Sequence, residues 1–326
     1  MSFYCNVTRG TNVESRHEIY AVVVDESESI IFSNCDPEFK TYIRSSLKPF
    51  QAAASVHAGA VDAAGFSMDE LALMCASHNG EEIHVKTAKS MLKKLGFSKD
   101  HYECGIHAPY DKKSKIALLQ KNKDYSPFNN NCSGKHAGML ALTKYLAVNP
   151  DGYTNKDHPV QKTILERIKM YTGLEEIPTA IDGCSAPAPF MSLFTMAVLF
   201  QKLAGGTYPE LEKVYQAMVN HPYIVAGRNR FDTDFIKVMK GKAITKVGGE
   251  AVRGLAIRSD SGKTYGVALK VLDGSQRANP VATVALLQHL NFIDEKCVEN
   301  LQKYKCTDLK NQRGIFIGNI SAHIEV

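Results

Sequence analysis

An α+β fold is what this sequence predicts, and three observations predict it. Apolar, β-branched runs stand near the N-terminus at His17–Asp25 and Ser29–Ser33, on either side of a polar turn. The same strand period returns late in the chain, in Ala243–Val247, Val252–Ser259, Thr264–Leu272 and the closing Gly314–Val326. Between them the pattern is helical. Strands at both ends close into one antiparallel sheet with helices packed on it, and the centre forms a helical lobe beside a cleft. The reading is a single domain, 1–326, with a sheet lobe of about 1–40 and 241–326 and a helical lobe of about 41–240.

Each element has a local cause. In Ile43–Gln51 a proline, Pro49, precedes an alanine-rich run, and proline is tolerated in the first turn of a helix, so a helix starts near Ser45. Ser67 with Glu70 is a capping box ahead of Leu71–Ala76, and Asn79 with Glu82 reads as a second one, opening a lysine-rich helix. Residues 102–131 hold Pro109, Pro127 and three successive asparagines, which predicts loop around one short helix. Helices follow at Gly134–Val148 and at His158–Gly173, the latter begun by Pro159 and ended by Gly173. Ile181–Pro189 reads as a rigid loop and Phe190–Leu203, apolar nearly all round, as a buried helix. Further helices are expected at Pro209–Asn220, Asp232–Met239 and Asn279–Phe292, with residues 260–263 as a hairpin turn.

Composition excludes several classes. A net charge of +5 is mild, and the lysine-rich stretches are broken by apolar residues without stacking aromatics, so no nucleic-acid surface is expected. No run approaches the ~20 apolar residues a membrane span needs. No signal peptide is visible, and the eight cysteines are scattered without a C-x-x-C pair, which argues for reduced thiols and a cytoplasmic protein.

The chemistry starts at Ser45 and Lys48. Residues three apart share a helix face, so a neutral Lys48 amine could take the Ser45 proton, beside a helix N-terminus able to stabilise an oxyanion. Chance alone supplies roughly two S-x-x-K matches in such a chain. The second here, Ser90 with Lys93, lies on an amphipathic helix and reads as an exposed face. A capping serine with a surface lysine would look the same at Ser45. Company decides between them. Ser77, in Ser-His-Asn-Gly, stands at a helix entrance, where a plain turn serine is the other reading. Lys246 ends a strand at Gly248-Gly249, glycines that let backbone approach a ligand, or mark a bulge beside an exposed lysine. Cys132 and Lys135 share Cys-Ser-Gly-Lys-His, and Cys184 follows Asp182-Gly183. Two lone cysteines point only weakly to a metal.

Taken together and in this order, Arg-Ser-Ser-Leu-Lys-Pro, Met-Cys-Ala-Ser-His, Asn-Cys-Ser-Gly-Lys-His-Ala-Gly-Met, Asp-Gly-Cys and Lys-Val-Gly-Gly-Glu resemble the thermolabile, rhizobial-type L-asparaginases. That family is related in fold to serine β-lactamases and bacterial glutaminases. The resemblance runs from Val7 nearly to the C-terminus and implies a β-lactamase/glutaminase-like fold. It also implies a homodimer acting on L-asparagine to release L-aspartate and ammonia. Position by position, Ser45 and Lys48 match the first serine–lysine pair, and Ser77 and Lys246 the second. Asp182 matches an acidic residue of the substrate pocket, where it would pair with the substrate ammonium, and Arg44, in the first serine–lysine motif, is a candidate partner for the substrate carboxylate. Cys132, Lys135 and Cys184 match unusual zinc ligands. Gly249-Glu250 and Ser185 depart from the family's pattern beside the substrate, which leaves selectivity open. A scheme consistent with this has Lys48 take the Ser45 proton and Ser45 attack, with Ser77 and Lys246 relaying protons to the leaving amine; Ser77 is the other candidate nucleophile. The competing readings are a glutaminase or other β-lactamase-like serine amidohydrolase, and a non-catalytic zinc or amino-acid sensor.

Overall fold

The computed structural model describes residues 2–325; Met1 and Val326, the latter within the expected closing strand, lie outside it. Its strands are β1 (Ser2–Arg9), β2 (Asn12–Val24), β3 (Ile30–Asn34), β4 (Lys40–Tyr42), β5 (Thr179–Ile181), β6 (Pro187–Ser192), β7 (Ala243–Gly248), β8 (Val252–Arg258), β9 (Thr264–Val271), β10 (Cys306–Lys310) and β11 (Phe316–Glu325). The chain divides into two compact units. One comprises the chain up to Ser46, Met191–Gly205 and residues from Lys237 onward; the other comprises Leu47–Phe190 and Gly206–Ile236. The sheet unit therefore includes a segment, Met191–Gly205, that the sequence boundaries assign to the helical lobe.

The sheet unit is antiparallel, in the order β10-β11-β1-β2-β9-β8-β7, with β3 also on β2. The ends of the chain meet in it: β1 pairs with β11, Cys5 opposite Ala322. The expected hairpin is present as β2 and β3, closed by Asp25, whose carboxylate accepts the Ser27 and Ser29 amides. The strands β1 and β10 escape the sequence reading because their residues are mixed in character and long-range pairing creates them.

Helix Leu193–Gly205 covers this sheet, starting a few residues later than expected. Two glycines allow that contact. A Cβ on Gly254 would stand 1.8 Å from the Phe200 ring, and one on Gly266 1.9 Å from the Ala197 carbonyl oxygen.

The helical unit is centred on helix Lys48–His57, packed by helices Ser133–Tyr145, Pro159–Thr172 and Pro209–Asn220. Phe50, Ala53 and Leu140 are fully buried there, an arrangement worth about 1.5–3 kcal/mol for each large apolar side chain. Gly134 and Gly138 bring helix Ser133–Tyr145 against Met68–Met74: a Cβ would fall 2.1 Å from the Leu73 oxygen and 2.4 Å from the Met74 methyl.

Three local expectations change. The Ser67–Glu70 capping box forms, but helix Glu82–Leu95 is capped by Glu81 and His84, not Asn79 and Glu82. Asn79 is drawn off to the Arg228 carbonyl and the Arg230 guanidinium. Ile181–Pro189 is not simply a loop, because its ends pair as the β5–β6 hairpin. The first helix begins at Lys48, with Arg44–Leu47 as a tighter 3₁₀ turn, so Ser45 stands ahead of the helix and not in it. Among the described residues no helix is long and apolar enough to cross a membrane.

Candidate active site

Within the helical unit the decisive contact is Lys48 on Ser77. Lys48 opens its helix with Pro49 behind it, and its side chain is fully buried. Its amine reaches the Ala76 carbonyl at 2.6 Å, the Ser77 hydroxyl at 3.1 Å and the Asn131 carbonyl at 3.2 Å. As an ammonium it has three protons to give, and these three acceptors match them. Ser77 is held in turn by its backbone: its amide donates to the Val225 carbonyl and that of Asn79 to Ala226. The Lys48 helix has no side-chain cap at its N-terminus; the Arg44–Leu47 3₁₀ turn runs directly into it, and Pro49 in its first turn has no N–H.

Around this pair lie residues the sequence reading passed over. His78 is fully buried, and burial pushes its imidazole well below the usual histidine range, so it is neutral. Its Nδ1 accepts the Gly80 amide, which places the proton on Nε2, facing the Ser133 hydroxyl at 2.9 Å. His78 thus ties the Ser77 segment to Cys-Ser-Gly-Lys-His. The three asparagines, expected as plain loop, are clamps. Asn130 accepts the Cys132 amide and donates to the Cys104 carbonyl, while the Asn131 amide donates to His107. The signal was available in the strings Ser-His-Asn and Asn-Asn-Asn-Cys, but their partners are remote in sequence.

The second cluster is Cys132, Lys135, Asp182 and Cys184. The Lys135 ammonium lies 2.8 Å from the Cys184 sulfur. A hydrogen bond from Cys132, then the Lys135 charge and His136, hold the Cys184 thiol far below its ordinary range, against the effect of burial. The same contact raises the Cys132 thiol. Burial opposes the charge on Lys135, but the two sulfurs outweigh it and keep its amine above the usual lysine range. Tyr153, accepting the Glu103 amide, gives its hydroxyl proton to His136 Nδ1 at 2.6 Å, leaving Nε2–H on the cluster's side of the ring. Asp182 turns the chain: its amide donates to Ala186, and its carboxylate accepts the Gly183 amide and stands 3.8 Å from Cys184.

Among the described residues no three His, Cys, Asp or Glu side chains gather to hold a metal. Any cation here would use the two sulfurs and Lys135, a donor set that suits zinc once the amine has lost its proton.

In the sheet unit, the segment that carries Arg44 and Ser45 meets the strand of Lys246 through Ile43 and Ser46. The Arg44–Leu47 turn lies on the end of β7, where the Ser46 hydroxyl donates to the Lys246 carbonyl at 3.0 Å. Gly248 permits this, since a Cβ there would stand 2.8 Å from the Ile43 oxygen. Lys246 is fully buried, with its amine 2.7 Å from the Val247 carbonyl. Ser45 is half-buried, and Arg44 faces Glu250 at 3.9 Å.

A family model described as L-asparaginase II matches residues 5–322, nearly the whole chain. The chain belongs to the L-asparaginase II family. It is therefore an amidohydrolase, of a family whose substrate is the small molecule L-asparagine. The comparison with curated proteins gives no match. Solved structures with a detectable likeness include a β-lactamase from Sphaerobacter thermophilus, at 13% identity and TM-score 0.44 over 85% of this chain and 92% of that one. The extended-spectrum β-lactamase TLA-1 shows 14% identity and TM-score 0.39, covering 89% and 93%. The protein Mglu shows 13% and 0.37, covering 85% of this chain and 62% of its own. Likenesses this distant tie no activity to this member of the L-asparaginase II family.

Proposed function

We propose that this protein hydrolyses the side-chain amide of L-asparagine through a serine activated by Lys48. The observation that carries the reading is the 3.1 Å contact between Lys48 Nζ and Ser77 Oγ, inside one buried network. In its neutral form the amine accepts the hydroxyl proton, and the oxygen attacks the carboxamide carbon. Amide resonance makes that carbon a poor electrophile, so the developing oxyanion needs hydrogen-bond donors beside the attacking serine. The proton returns to the leaving nitrogen, ammonia departs, and water hydrolyses the β-aspartyl ester to L-aspartate.

A second assignment is favoured by exposure. Ser45 is half-buried, whereas Ser77 is only 4% exposed. Ser45 could then attack, its proton taken by Lys48, with Ser77 and Lys246 relaying protons to the leaving amine, the scheme drawn from the sequence. Loss of ammonia release in Ser77→Ala and in Ser45→Ala, together with mass spectrometry of an acyl-enzyme trapped with a slow substrate, identifies the attacking oxygen. If both variants keep near-parental turnover, the serine mechanism is wrong.

Asp182 would take the substrate ammonium and Arg44 its carboxylate, with Lys246 completing a second relay. Cys132, Lys135 and Cys184 would hold zinc, which when bound supplies a positive charge that can orient or polarise the substrate. Ammonia release from asparagine against glutamine, with a chromogenic β-lactam as a third substrate, separates this reading from its nearest rivals.

A further inference from the structure

We propose that the cavity beside Asn79 in the helical unit is a binding site for a small oxyanion, a carboxylate or a phosphate, held by the Arg230 guanidinium with Lys112 and Lys113. The cavity measures about 480 Å³, and four cationic side chains line it, those of Arg228, Arg230, Lys112 and Lys113, against one carboxylate, Asp111. That carboxylate is already engaged: it accepts the Ser114 amide and hydroxyl at 2.8 Å and faces Arg228 at 3.8 Å. Arg228 is answered as well by Glu81 at 3.3 Å. Among the described residues Arg230, Lys112 and Lys113 form no ion pair.

The arginine loop is fixed by the segment that carries Ser77. The Ser77 and Asn79 amides donate to the Val225 and Ala226 carbonyls at 3.0 and 2.9 Å, so the two stretches run side by side. Asn79, only 4% exposed, then clamps the loop at two points. Its side-chain amide donates to the Arg228 carbonyl at 2.9 Å, and its side-chain oxygen accepts from Arg230 Nη1 at 2.9 Å. Gly227, at φ 110°, lets the loop pass this close, since a Cβ there would stand 2.3 Å from a Glu81 carboxylate oxygen.

A guanidinium carries its N–H donors in a planar fork, and Asn79 takes one of them. An oxyanion accepts two parallel bonds from such a fork, which fixes its orientation as well as adding charge-assisted strength. Lys112 and Lys113, exposed in the first turn of helix Lys112–Gln120, add charge without that geometry. Asp111 already caps this turn, so the attraction comes from the side chains and not from the helix end. Arg230 is half-buried, which limits screening of its charge by salt. Two sources can supply the oxyanion: the α-carboxylate of the substrate, or a free anion such as phosphate. The first source rests on the amidohydrolase reading above; the site itself does not.

The test titrates the purified full chain by calorimetry with inorganic phosphate and, separately, with succinate, at constant ionic strength set by sodium chloride. One saturable site is expected, weakened about ten- to a hundredfold in Arg230→Gln through the loss of hydrogen bonds to a charged group. A double variant, Lys112→Gln with Lys113→Gln, changes only exposed side chains and should weaken binding too, which keeps the test decisive if Arg230→Gln fails to fold. Kinetics then separate the sources. If the site takes the substrate carboxylate, phosphate raises KM for asparagine at constant kcat. Arg230→Gln then loses more kcat/KM on asparagine than on 3-aminopropanamide, the same amide without the carboxylate. If the anion is independent, phosphate binds and leaves KM for asparagine unchanged; both results support the site. No saturable heat with either anion up to about 10 mM, or binding unaltered in both variants, overturns the proposal. Phosphate binding by a protein that never releases ammonia would refute the amidohydrolase scheme and leave the site standing.

Discussion

Replacing Lys48 with methionine is the sharpest test of the site. The substitution keeps much of the side chain's length and removes the amine from a fully buried position. Three acceptors, the Ala76 and Asn131 carbonyls and the Ser77 hydroxyl, then lose their partner. At about 1 kcal/mol for each, Lys48→Met should cost roughly 3 kcal/mol of stability, which a domain of ordinary stability survives. Removing a general base should cost about 10²–10⁴ in kcat. Urea denaturation measures the first quantity and continuous ammonia release the second, at protein concentrations where the variant is folded. The decisive experiment is a double-mutant cycle with Ser77→Ala. Groups that act as one unit lose activity once, so the double variant should be little slower than either single one. Additive losses, or a folded Lys48→Met within about threefold of parental kcat, would refute the assignment.

Other consequences are open to measurement. Metal analysis of the purified protein should find zinc that is lost in Cys132→Ser and Cys184→Ser; zinc absent from the parent would remove the site. Gly266→Ala should destabilise the sheet unit by more than about 3 kcal/mol, because its Cβ would meet the Ala197 carbonyl, a backbone atom that cannot swing aside. A melting temperature near the parental value would contradict the packing. His78 is buried neutral, with a folded pKa below its unfolded value of ~6.5. Its contribution is therefore whole above that value and is lost as pH falls below it, by up to about 1.4 kcal/mol per pH unit per proton. His78→Gln should flatten denaturation midpoints between pH 6.5 and pH 5 relative to the parent, to an extent limited by the neighbouring buried His84 and His136.

Much of the architecture was decided locally. Period-two apolar runs define β2, β3, β7, β8 and β9, and Pro159 and Gly173 bound their helix because proline lacks an N–H and glycine adopts the left-handed turn, φ 70°. The residue types of the site, and their strings, could be read from the sequence for the same reason: each is a short motif. What only the tertiary structure decided was partnership. Lys48 meets Ser77, 29 residues on, and Lys135 meets Cys184, 49 residues on. Asn79 leaves its helix cap for residues about 150 positions away. Hydrogen bonds and charge pairs act over a few ångströms of space, and sequence distance carries no record of which groups folding brings that close.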